Sequence, residues 1–137
     1  MKKLLIAASV CFVFSACNNS KEQEKDLLND VLKVHDKVMN SDEKLMENKM
    51  QLDTLLKRPA KDTAEKANMK AISLKLVAAE EAMETWMQKF QPDMTGKSHD
   101  EIMKYYSSQK KQIMSVDSQM NAAIVESGKY LSNKESK

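Results

Sequence analysis

The chain has 137 residues, with 22 Lys and Arg against 20 Asp and Glu and a formal net charge of +2. That length makes one domain, large enough to bury a core of its own. The mixed charge excludes the basic surplus expected of a nucleic-acid binder, and two cysteines are too few for a disulfide framework.

Residues 1–16 read as a targeting segment. Lys2 and Lys3 form a basic start, Leu4 to Phe14 an apolar run broken only by Ser9, and Ser15 and Ala16 a small-residue cleavage site. The run is far shorter than the ~20 residues of a membrane-spanning helix. The tetrapeptide "FSAC", residues 14–17, resembles a bacterial lipobox, with Phe14 in place of the preferred leucine. The resemblance implies that Cys17 is acylated, with palmitate among the chains, and becomes the first residue of the mature protein. Ordinary secretion with a free Cys17 is the alternative. Several acyl chains on one residue give stable anchoring at ~0.8 kcal/mol per buried CH₂. Without Lys2 and Lys3 the chain would carry 20 bases against its 20 acids. Cys11 would go with the signal, leaving no thiol after Cys17.

Residues 17–24 are expected to form a polar tether, and residues 25–133 a helical domain followed by a disordered tail at 134–137. Two prolines and two glycines, with abundant Lys, Glu, Met, Leu and Ala, favour helix throughout. The breaks at Arg58-Pro59 and at Pro92 to Gly96 divide the chain into predicted helices at 24–57, 62–91 and 99–131. Asp62 with Glu65, and Ser98 with Glu101, have capping-box spacing.

The first helix carries a broad apolar stripe from Leu28 to Leu56. Inside it His35, Asp42 and Lys49 recur every 7 residues, polar groups that would be costly in a core unless paired. They read either as a functional column or as residues that satisfy one another, sit where the third face is open, or fix register. The second helix has a seam of Met69, Ile72, Leu76, Ala79, Met83, Trp86 and Phe90. The third follows with Ile102, Tyr106, Ile113, Val116, Met120, Ala123 and Tyr130, interrupted by Gln109 and Ser127. Steps of three and four on every helix, with two short loops, predict an all-α, antiparallel up-down-up three-helix bundle with coiled-coil-like seams. Each helix should be about 45–50 Å long. A hairpin that dimerises is the alternative.

Catalytic signals are few. The sequence has no glycine-rich phosphate loop, CxxC or HExxH pattern, and its histidines are His35 and His99. The expectation is a protein that is not an enzyme and carries no cofactor. His35 and Met39 are four apart and share a helix face, and imidazole with thioether suits Cu(I). That makes them candidate metal ligands, although most of the methionines coincide with the seams, where Met fills core space. Trp86, the single tryptophan, is either a core anchor or a partner contact.

"VHDKVM" at 34–39 and "METWMQKF" at 83–90 resemble segments of small bacterial lipoproteins of unassigned activity, some labelled "viral A-type inclusion protein". The resemblance covers most of the chain after Cys17 and implies a helical lipoprotein, with no catalytic residues to carry over. The run "SKEQEKD" at 20–26 is also similar to signals that send lipoproteins to the cell surface. Asn18 is not the aspartate that retains lipoproteins in some inner membranes. Together these readings predict a lipid-anchored protein of the bacterial envelope, at the outer membrane, facing the periplasm or the surface. It would be a structural or protein-interaction module, with another envelope protein or its own copies as partner and no nucleic acid. A copper or small-ligand binder using His35 and the methionines is the alternative function.

Overall fold

The computed structural model describes residues 15–59 and 62–135, and the side chains of 19–59 and 62–134. The expected signal segment therefore lies outside the described residues up to position 14, and the Cys17 side chain lies outside them too. Three helices make up the fold: α1 (Ser15–Leu56), α2 (Thr63–Lys89) and α3 (His99–Glu135).

Ion pairs and ring contacts give the directions of the helices. From α1 to α3 the pairs Glu24–His99, Asp30–Lys110 and Lys37–Asp117 rise together along both chains, so these helices are parallel. From α1 to α2, His35 meets Trp86 whereas Lys49 meets Glu80, so α2 runs the opposite way. The result is an up-down-up three-helix bundle closed within one chain. All three helices pack on one another, so a second chain is not needed to complete the core.

The core is a single column. Val31, Val38, Leu45 and Leu52 repeat every 7 residues on α1 and are fully buried. They meet Met69, Ile72, Leu76, Ala79, Met83 and Trp86 of α2, and Ile113, Met120 and Ala123 of α3. A 7-residue repeat keeps one face of a helix on its neighbours along its whole length. Burying one such Val, Leu or Ile side chain contributes about 1.5–3 kcal/mol.

The helices are less equal than their apolar patterns predict. At about 1.5 Å per residue, the 42, 27 and 37 residues of α1, α2 and α3 correspond to roughly 63, 40 and 55 Å. The predicted tether at residues 17–24 is helix, because Lys21 to Lys25 are good helix formers with no Pro or Gly among them. Glu24 also accepts at 2.8 Å from His99, tying this turn to the start of α3. At the other end the predicted tail begins two residues too early. Helix α3 runs through Glu135, and Lys134 pairs with Glu65 of α2.

Capping follows the sequence in one case and departs in the other. Ser98 and Glu101 form a full reciprocal box: Ser98 N and Oγ donate to Glu101 Oε2 at 2.9 and 2.8 Å, and Glu101 N donates back to Ser98 Oγ at 3.4 Å. Asp62 caps α2 by accepting from Ala64 N at 2.8 Å. Its expected partner Glu65 turns instead to Lys134 and the Tyr130 hydroxyl. The loop before α3 is held by Asp93, which accepts from Thr95 N and Oγ1, and turns at Gly96, whose φ of 82° favours glycine. Two tyrosines of α3 fasten it: Gln91 N donates to the Tyr105 hydroxyl, and the Tyr106 hydroxyl donates to Pro92 O. Burial, reinforced by the neighbouring Tyr105, raises the pKa of Tyr106.

Candidate partner-binding surface

Helix α1 presents two neighbouring faces beside its core stripe. The first holds Leu28, His35, Asp42, Lys49 and Leu56, each half-buried. It borders α2: the His35 ring lies 5.8 Å from that of Trp86, and Lys49 Nζ donates to Glu80 Oε2 at 2.5 Å. Of the readings of the polar column, the geometry is that of an open face at the boundary with α2: His35, Asp42 and Lys49 are half-buried and do not bond one another. His35 Nδ1 contacts Asp36 Oδ1 at 3.0 Å, while Asp42 has no ion-pair partner among the described residues.

The second face lies one step further round. There Leu32, Met39 and Met46 recur every 7 residues at 39, 41 and 37% exposure, with Met50 beyond them. From Leu32 to Met46 the stripe runs about 21 Å along the helix. Across the α1–α2 boundary Met87 is 42% exposed. It follows Glu80 by two turns, on the side of α2 that meets α1. Other exposed large apolar residues, Leu74, Met114 and Val125, belong to other parts of α2 and α3.

Acidic groups flank this apolar stripe. Asp36 and Glu43 are exposed and Asp42 half-buried on α1, and Glu84 is exposed one turn from Met87 on α2. The cation within this set is Lys49, already committed to Glu80. Glu43, like Asp42, has no ion pair among the described residues.

Trp86 lies beneath this surface. It is only 5% exposed and stacks on Phe90 at 4.7 Å between ring centroids, in a run that continues to Tyr105 at 6.4 Å. Of the two readings of this residue, the geometry is that of a core anchor. Its Nε1 is buried with no hydrogen-bond partner among the described residues, as is Oε1 of Gln109 on α3. One edge of Trp86 also lines a shallow groove of about 410 Å³ between α2 and α3, walled by Ala78, Ala82, Thr85 and Val116. A larger cleft of about 540 Å³ lies near the end of α1, floored by Leu131 and Leu55 and rimmed by Arg58, Glu47 and Lys134.

The predicted metal candidates His35 and Met39 stand one helical turn apart, on the half-buried and exposed faces respectively. Among the described residues no three His, Cys, Asp or Glu side chains are grouped to hold a metal ion. His99 is bonded to Glu24, 11 residues before His35 and so about 16 Å from it along α1. No helix among the described residues is long and apolar enough to cross a membrane.

No family model, curated protein or solved structure matches the chain. The surface is therefore defined by its own residues. Sequence reasoning missed two features of it. The exposed 32–39–46 repeat merges in sequence with the core repeat beside it, and the α1–α2 edge is visible only once both helices are in place. It also missed Asn48, which is 1% exposed and donates from Nδ2 to Ser127 Oγ at 2.8 Å and Ile124 O at 3.2 Å. The available signal was Asn48 falling three residues after Leu45, in the seam, matched by the Ser127 interruption on α3.

Proposed function

We propose that this protein is a lipid-anchored, non-enzymatic module of the bacterial cell envelope that binds another envelope protein through the α1–α2 face. The observation that carries the binding role is the exposed 7-residue repeat of Leu32, Met39 and Met46, continued by Met87. A helix packed in a finished bundle gains nothing from a second apolar stripe facing water, and such patches mark interaction surfaces. Methionine suits this use, because its unbranched thioether adapts to more than one partner shape.

Anchoring rests on the sequence order of a basic start, a short apolar run, Ser15, Ala16 and Cys17. Acyl chains on Cys17 would hold the bundle at a membrane surface by the end where α1 begins, and Asn18 favours the outer membrane as that surface. The stripe starts about 22 Å further along α1, at ~1.5 Å per residue from Cys17 to Leu32. A partner lying at or near the membrane could reach it.

The anchor is tested by substituting Cys17→Ser in cells fed a radiolabelled fatty acid. Loss of label, with a shift of the protein out of the membrane fraction or retention of its leader, is the expected result. Label that persists on the Cys17→Ser protein would rule the anchor out.

A further inference from the structure

The acids around the methionine stripe say what kind of partner fits it. From residue 17 onward the chain has as many bases as acids, yet this face gathers Asp36, Asp42, Glu43 and Glu84 around Leu32, Met39, Met46 and Met87. Asp42 and Glu43 have no cation among the described residues, although lysines elsewhere are drawn into pairs across helices, such as Lys37–Asp117, Lys75–Glu126 and Lys110–Asp30. Building on the interaction role proposed above, we infer that the α1–α2 face receives a basic amphipathic helix of its partner. The partner's apolar side would lie along the stripe and its Lys or Arg side chains would meet the acids.

The geometry supports a helix as the occupant. Three apolar residues at 7-residue spacing make a straight strip of about 21 Å, matching roughly four turns of helix presenting its own apolar residues at steps of three and four. A second copy of this chain fits poorly. Two such faces in an antiparallel arrangement centred on Met39 bring Asp36 of one copy beside Asp42 and Glu43 of the other, and like charges repel. An anionic membrane surface is disfavoured by the same acids.

The inference is tested with the full chain in nanodiscs of zwitterionic lipid, against empty nanodiscs. The probe is a labelled 18-residue amphipathic peptide of leucine and lysine, with a leucine and glutamate peptide of the same pattern for comparison. The lysine peptide should bind and the glutamate peptide should not. Binding should weaken about tenfold or more in Met39→Gln/Met46→Gln, and likewise in Asp42→Asn/Glu43→Gln, where it should also lose much of its salt dependence. All four positions are at the surface or its edge, and unchanged Trp86 emission confirms that the variants remain folded. Equal binding of both peptides, no binding of the lysine peptide, or indifference to the substitutions overturns the inference. So does concentration-dependent self-association that Met39→Gln/Met46→Gln abolishes, which would make a second copy the occupant. Those failures leave the wider interaction role standing if position 39 still crosslinks to a protein in cells.

Discussion

At the scale of single residues, the buried polar groups separate structural roles from functional ones. Asn48 lies inside the α1–α3 contact, and its amide spans Ser127 Oγ and Ile124 O. Parallel helices with a 7-residue apolar repeat can slide by a heptad and still bury leucines. A buried amide that must find one hydroxyl penalises that slip. Asn48→Ala removes both bonds and opens space beside Gly128, the residue whose missing Cβ faces Asn48 Nδ2. It should cost about 1–3 kcal/mol, read as a lower urea midpoint with Trp86 fluorescence as the probe. An unchanged midpoint would show that the pair contributes nothing to stability. Lys49, by contrast, was legible from sequence only as a polar intruder. Its role as the bridge to Glu80 depends on the crossing of two helices that no local pattern encodes.

Among the elements, α3 starts with a complete reciprocal cap, whereas α2 starts with a single capping bond to Asp62. The Ser98–Glu101 box lowers the pKa of Glu101, first through the Ser98 backbone N–H and then through the Ser98 hydroxyl. Bonding to Lys110 and to Lys134 lowers Asp30 and Glu65 in the same direction. A carboxyl whose folded pKa is depressed contributes stability above its unfolded value, about 4.3 for Glu. That contribution is lost as pH falls through the lower, folded value. The thermal midpoint should therefore drop as pH is lowered from 5 towards 2. Glu101→Gln should flatten part of that dependence, measured by circular dichroism. A midpoint that rises with acidification would contradict the assigned direction. Both interhelical breaks were readable from Pro59, Pro92 and Gly96, because proline and glycine act on the backbone itself. The helical state of residues 18–24 was not, because a polar run of good helix formers reads equally as tether or as helix until His99 is seen to hold Glu24.

For the whole molecule, the bundle was legible because its core obeys one period: Val31, Val38, Leu45 and Leu52 in α1 match the predicted seams of α2 and α3 closely. The candidate surface was only half legible. The sequence displays the methionines, but their division into Met69, Met83 and Met120 inside and Met39, Met46, Met50 and Met87 outside depends on which side of each helix meets a neighbour. Helix α2 runs beside α1 from His35 to Lys49, and the acid-flanked stripe lies on the side of α1 that turns outward from this contact. That exposed face, on a chain proposed to be held at a membrane by Cys17, is the centre of the functional proposal. Site-specific photo-crosslinking in growing cells tests it most directly, with a photoreactive residue placed at Met39 in the full chain and, in parallel, at the more exposed Leu74. The account predicts a discrete adduct from position 39 that is absent from position 74 and fades when Met46 is changed to Gln. No adduct from position 39, or the same adducts from both positions, would contradict it.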